Sequence, residues 1–200
     1  VIEASESETG MIASRIGCES DAKYAIQITN VGSGYSRLTD DFLYNAWNFE
    51  GQEVFKRAVK AMAQASADVL DQAGMSLEDV KLVVPHQANK RILDALAKRI
   101  GISEDKVFVN VHKYGNTSAG TIPVALAEAL EEGRIKPDDH ILMASFGAGL
   151  TYGAGLIKWS NRVIPLTTSD AELPPCEKTG LEIIASHVDR YKKHSLESVS

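Results

Sequence analysis

Val84-Pro85-His86-Gln87-Ala88-Asn89 joins the short apolar run Lys81-Leu82-Val83-Val84-Pro85 to a segment, Lys90 to Ile100, whose apolar residues Ile92, Leu93, Leu96 and Ile100 fall on one helical face. Strand, polar turn, helix is the repeating unit of an α/β sheet, and such sheets gather their ligands at strand ends. Pro85 has no N–H to give a ladder and its ring fixes φ, so it stiffens the strand exit and projects His86 at a set angle.

The same alternation extends in both directions. Upstream, Val54, Phe55, Ala58, Val59, Met62 and Ala65 recur at spacings of three and four and predict an amphipathic helix from Glu53 to Gln72, ended by Gly74. Before it, the alternation Ile26-Gln27-Ile28-Thr29 predicts a strand within residues 21–29, and residues 31–50 read as a long loop. Downstream, Val107-Phe108-Val109-Asn110-Val111 predicts a strand, Ser118 to Glu132 a third helix, and His140 to Ser145 and Tyr152 to Trp159 two further strands. The class is α/β, a sheet covered by helices. After Trp159 come Pro165, Pro174 and Pro175, then Leu181, Ile184, Val188 and Tyr191 on one face of a helix expected from Glu177 to Lys193. Residues 1–159 are therefore expected to form the α/β body and 160–200 an appended linker with a short docking helix. The opening Val1-Ile2-Glu3-Ala4-Ser5 reads as a strand entered midway, so further chain is expected upstream.

Composition narrows the class. A hydrophobic fraction of 44% suffices for a buried core, while charged residues interrupt every apolar stretch before the roughly 18–20 residues of a membrane span. No membrane helix is expected. Net charge is −6, from 21 basic and 27 acidic residues, which gives nucleic acid no global attraction. Cys18 and Cys176 have neither metal-site nor redox-pair spacing, so each reads as a plain thiol, no metal is expected, and a reducing cytoplasm fits.

Three turns carry unusual residues: the His86 turn, Tyr114-Gly115-Asn116-Thr117-Ser118-Ala119, and Phe146-Gly147-Ala148-Gly149-Leu150. Each alone has an ordinary reading. A lone His is structural or exposed, Asn116 is a cap or turn residue, and the glycine-rich stretch is a tight hairpin. Together they offer an imidazole and a carboxamide for one anionic oxygen and a backbone N–H for a second, a set suited to acyl or enolate chemistry.

Pro85-His86-Gln87-Ala88-Asn89, Gly115-Asn116-Thr117-Ser118-Ala119 and Phe146-Gly147-Ala148-Gly149-Leu150-Thr151, spaced by about 30 residues, resemble the His, Asn and glycine-rich loops of the β-ketoacyl-acyl-carrier-protein synthase III family of fatty acid synthesis. Val1 to Ser5 and Asn48-Phe49-Glu50-Gly51-Gln52-Glu53-Val54-Phe55-Lys56 extend the resemblance, which covers residues 1–159. It implies a thiolase-like fold, normally a homodimer of two-part chains, of which this chain supplies mostly the C-terminal half and an absent N-terminal half brings the Cys nucleophile. His86 and Asn116 are then catalytic and the Ala148 N–H belongs to an oxyanion hole. Gly51, Gln52, Phe55, Ala88 and Asn89 match positions lining the pantetheine tunnel. Arg91 matches a carrier-protein contact, with Lys56, Lys98 and Arg99 as an extended basic rim. Acyl-CoA and acyl carrier protein are the implied partners, and coenzyme A enters as a thioester substrate, with no resident cofactor. The implied reaction is decarboxylative condensation of an acyl-CoA primer with malonyl-carrier protein. The alternatives are a noncatalytic partner subunit of a heteromeric enzyme, or a specialised relative forming esters or amides. His112 has no catalytic counterpart in the resemblance, His140 begins a strand, His187 and His194 sit in the appended tail, and Tyr152 and Trp159 fit packing better than chemistry.

Overall fold

The structure, a computed structural model, describes residues 8–28, 47–164, 170–171, 175, 177–185 and 188–189. The chain divides into two compact units, Val1–Ile164 and Pro165–Ser200. The first is built on a four-stranded sheet of β1 (Gly10–Cys18), β6 (Thr151–Lys158), β5 (His140–Gly147) and β4 (Leu82–Pro85), in that order. β1 and β5 run antiparallel to β6, and β4 runs parallel to β5. A small second sheet pairs β2 (Ile26–Ile28) with β3 (Trp47–Phe49).

Helices cover the central strands on both faces, which is why β4 is apolar throughout rather than alternating. Val83, Leu142 and Leu156 point toward α1 (Gly51–Ala73), where they meet Ala65, Val69 and Leu70. Leu82, Val84 and Ile141 point the other way, against Ala125 and Ala129 of α4 (Thr121–Glu131). α2 (Lys90–Ile100) lies beside α1. α1 ends where expected, at Gly74, whose φ of +64° belongs to a left-handed cap that glycine adopts without steric cost. α4 tolerates Pro123 because its first turn has no intrahelical N–H bonds to lose.

Four expectations are corrected. β1 was not anticipated, because only Ala13 of its nine residues is buried and a bulge between Met11 and Ala13 breaks the alternation. β3 lies inside the stretch read as loop. Residues 107–111 are not a strand: Val107 makes a single bridge to Val83, Phe108 N–H donates to the Val83 carbonyl, and the short helix α3 (Val111–Tyr114) begins at once. The third helix is also split, with a 3-10 turn over Ser118–Gly120 ahead of α4.

In the second unit, Thr179 and Glu182 form a reciprocal cap, with Thr179 N–H donating to Glu182 Oε2 at 2.7 Å and Glu182 N–H to Thr179 Oγ1 at 3.3 Å. Residues 180–185 and 188–189 are helical. Val1 to Ser5, Cys176, His187, Tyr191 and His194 fall outside the described residues.

Leu142 is fully buried at the centre of the sheet. Leu142→Ala is expected to lower stability by about 2–5 kcal/mol, the usual cost of a core Leu with its cavity. Urea denaturation of the whole chain checks this.

Candidate functional site

Gln87 organises the turn after β4. It is 1% exposed, and its amide is fully bonded. Nε2 donates to the carbonyls of Pro85 (2.9 Å) and Phe108 (3.0 Å), while Oε1 accepts from the N–H groups of Asn110 (2.9 Å) and Val111 (3.2 Å). The Asn110 N–H is the one that would have continued the pairing with β4 after Phe108, so the side chain takes the place of the next ladder bond. It ties the segment bearing His86 to the one leading into Gly115-Asn116. Buried Asn110 extends the link by donating from Nδ2 to Glu128 Oε2 of α4 at 2.9 Å. Lys113 also pairs with Glu128, and these two partners, Lys113 first, hold the Glu128 carboxyl below the ordinary range.

His86 leaves β4 with its N–H bonded to the Ala144 carbonyl of β5 at 2.8 Å. Its Nδ1 lies 2.5 Å from Oγ1 of Thr121, the buried first residue of α4. The hydroxyl can donate to Nδ1 of a neutral ring, which leaves the hydrogen on Nε2 and makes that atom a donor. Phe146 stands edge-on to the imidazole, ring centroids 5.6 Å apart at 73°. Burial pushes the imidazolium below its ordinary 6.5, so the neutral ring is favoured.

Asn116 is exposed, and its Oδ1 accepts from the Ser118 N–H at 2.9 Å. That bond orients the carboxamide and leaves Nδ2, the donating end, without an acceptor among the described residues. Asn116 caps neither helix that follows. In the glycine-rich turn between β5 and β6, Thr151 Oγ1 donates to the Ala148 carbonyl at 3.1 Å, and no described acceptor engages the Ala148 N–H.

His86, Asn116 and Ala148 all line one open cavity of about 1450 Å³. Gly51, Gln52, Phe55, Ala88 and Asn89 line it as well. So do Lys56 and Arg91, the latter with its guanidinium carbon 6.0 Å from the centre of the Phe55 ring. The Asn89 side chain is committed to capping α2, accepting from Arg91 N–H at 2.9 Å. Lys98 and Arg99 do not line the cavity, for they occupy the last turn of α2, about 10 Å along its axis from Arg91. Thr121 is a neighbour of His86 that residue patterns do not single out, and Phe146 enters them only as the start of the glycine-rich motif, with no role assigned. Thr121 lies 35 positions from His86 and no local spacing pairs them. Among the described residues no group of His, Cys, Asp and Glu could hold a metal ion, and no helix is long and apolar enough to cross a membrane.

Residues 70–159 match the family model described as 3-oxoacyl-[acyl-carrier-protein (ACP)] synthase III C terminal. The β-ketoacyl-[acyl-carrier-protein] synthase III 2 of Vibrio cholerae is 45% identical over 197 residues, 98% of this chain and 54% of that protein. The β-ketoacyl-[acyl-carrier-protein] synthase III of Aquifex aeolicus is 43% identical over 159 residues, 80% of this chain and 47% of that protein. The crystal structure of the Aquifex aeolicus 3-oxoacyl-[acyl-carrier-protein] synthase III is similar with a TM-score of 0.69 at 41% identity, over 78% of this chain and 46% of that one. The Pseudomonas aeruginosa 3-oxoacyl-(acyl carrier protein) synthase III gives 0.71 at 30% identity, over 81% and 48%. The chain thus spans about half the length of the curated relatives it matches. Because the Vibrio cholerae alignment takes in 98% of the chain, most of residues 160–200 have counterparts in that relative.

Two outcomes are expected. Gln87→Leu keeps the bulk but orphans the N–H groups of Asn110 and Val111, each a loss of about 1–3 kcal/mol, so urea unfolding should show at least about 2 kcal/mol of destabilisation. Between the lowered His86 value and 6.5 the unfolded chain holds more protons than the folded one. The stabilisation from a neutral His86 is therefore complete above 6.5 and lost as pH falls through the folded value, and denaturation midpoints across that window should flatten in His86→Gln.

Proposed function

The chain belongs to the 3-oxoacyl-[acyl-carrier-protein] synthase III family, whose C-terminal domain it carries, and on that premise we propose that it supplies the enolate-stabilising half of a decarboxylating, carbon–carbon bond-forming active site. The architecture is the thiolase-like α/β fold of that family. The observation that carries the reading is that His86, Asn116 and Ala148 line one cavity.

In this reading a Cys from outside these 200 residues takes the acyl group. Its thiolate attacks the acyl-CoA carbonyl, the C–S bond to coenzyme A breaks, and coenzyme A leaves and takes up a proton. The Ala148 N–H stabilises the oxyanion of that step; a backbone donor leaves the side chain free to be Ala. Malonyl-carrier protein then loses CO₂, and the charge that gathers on its thioester oxygen is met by His86 Nε2–H and Asn116 Nδ2–H. The enolate carbon attacks the acyl thioester, which releases the Cys thiolate and leaves a β-ketoacyl-carrier protein.

A neutral His86 suits this role. An N–H donor with Nδ1 held by Thr121 needs no proton exchange to stabilise an enolate, so burial of the ring is compatible with function at neutral pH. Gly51, Gln52, Phe55, Ala88 and Asn89 would contact the pantetheine arm, and Lys56 and Arg91 the acidic carrier at the cavity mouth. Lys98 and Arg99 sit farther from that mouth and would meet the carrier only at its periphery. We keep residues 160–200 as an appended linker and docking helix, and propose a cytoplasmic homodimer that uses acyl-CoA and acyl carrier protein without a resident cofactor.

The deciding assay offers the complete protein acetyl-CoA and malonyl-carrier protein. CO₂ release with a ketoacyl product is expected, and absence of both ends the condensation reading. Within an active protein, His86→Ala or Asn116→Ala should lower the condensation rate about 10²–10³-fold, the scale of removing one oxyanion donor. Transfer of the acyl group from acetyl-CoA to the enzyme should change far less.

A further inference from the structure

We propose that Arg57 is a positioning residue for the glycine-rich turn, holding the Ala148 N–H in place through Glu19 and Leu150. The inference rests on the condensation reading and adds a residue that touches no substrate.

Arg57 projects from α1 into three carboxylates. Its Nε donates to Glu53 Oε1 at 2.6 Å, Nη1 to Glu19 Oε2 at 2.8 Å, and Nη2 pairs with Asp21 Oδ2 at 3.0 Å. Glu53 is one helical turn away, but Glu19 and Asp21 belong to the turn that follows β1. An exposed pair of this kind holds little by itself. Here, however, one rigid fork engages three acceptors from two segments and fixes direction as well as distance. Without the guanidinium, three negative charges face one another and the turn has reason to part from α1.

The turn is in direct contact with the oxyanion loop. Glu19 N–H donates to the Leu150 carbonyl at 2.8 Å and Leu150 N–H donates back at 3.3 Å. The Leu150 side chain is 4% exposed, seated against Ala22, Ala25 and Val54. Two residues before it is Ala148, whose carbonyl is bonded by Thr151 Oγ1. Gly149 between them has φ of +135°, and a Cβ there would lie 2.8 Å from Thr151 Cγ2, so only glycine fits the tight return that the Thr151–Ala148 hydrogen bond closes, and that bond couples Ala148 to the Leu150–Thr151 backbone. Displacing Glu19 therefore displaces the Ala148 N–H. The His86 and Asn116 donors hang on other bonds, those of Gln87, Thr121 and Ser118.

That separation gives a readout which general loss of structure would not produce. In the complete enzyme, Arg57→Met should slow coenzyme A release from acetyl-CoA in a single turnover by about 10–100-fold, the effect of misplacing a catalytic group by roughly 1 Å. CO₂ release from malonyl-carrier protein without an acyl primer should stay near the unsubstituted rate, and Arg57→Lys should fall between, since an ammonium cannot span three acceptors. A folded Arg57→Met that acylates normally overturns the proposal, as does equal loss of both reactions. If Arg57→Met fails to fold, Glu19→Ala decides: it keeps the backbone pair with Leu150, and normal acylation in it overturns the proposal while selective slowing supports it. An unsubstituted enzyme that releases neither coenzyme A nor CO₂ removes the condensation reading and this inference with it.

Discussion

A single buried carboxamide sets the geometry on which the site depends. Gln87 uses both donor hydrogens and both acceptor positions of its side chain on main-chain groups of two segments, at Pro85 and at residues 108–111. A buried amide left half satisfied would cost more than an apolar residue in its place, so this arrangement is stable only as a complete set. Its completeness fixes the exit of β4 relative to the start of α3, and through them His86 relative to the loop of Asn116. The sheet supplies a rigid base for this bracket, because β4 and β5 are packed on both faces and cannot yield on either.

Much of the fold was legible because its long elements obey one rule each. The α1 periodicity runs for more than five turns and ends in a glycine, and α2 coincides with its expected bounds, Lys90 to Ile100. The failures arise where a local pattern is not the force that decides. Val107 to Val111 has strong strand character, yet a side chain 20 or more positions away takes the N–H groups of Asn110 and Val111 and turns the chain into α3. β1 carries Gly10, Arg15 and Gly17 with mostly exposed side chains, so its pairing with β6 rests on backbone bonds that leave little mark on hydropathy. Gly17 serves this pairing directly: a Cβ there would meet the Tyr152 ring at 2.3 Å.

The site divides in the same way. The backbone-shaping residues of the three turns, Pro85, Gly115 and Gly149, are visible as residue types, and so are the donors they present. The residues that orient those donors are not. Thr121 against His86, and Arg57 against Glu19, are pairs separated by 35 and 38 positions, brought together only by packing of α4 and α1 on the sheet. A threonine at a helix start and an arginine on a helix face have ordinary roles elsewhere, and nothing in their spacing distinguishes them.

Two sets of supports thus hold two sets of donors. His86 and Asn116 are fixed from the α4 side, by Gln87, Thr121 and the Ser118 turn, whereas Ala148 is fixed from the α1 side, by Leu150 and the turn of Glu19. In the proposed reaction these correspond to charges that form at different times, on the acyl-CoA oxygen first and on the malonyl thioester oxygen later. Preorganised donors stabilise a transition state to the extent that they need not move when charge appears. The two sets of hydrogen bonds are separate, so one oxyanion site can be tightened or relaxed through its own bonds, while Phe146, edge-on to His86 and packed beside Leu150, is where the two sides touch.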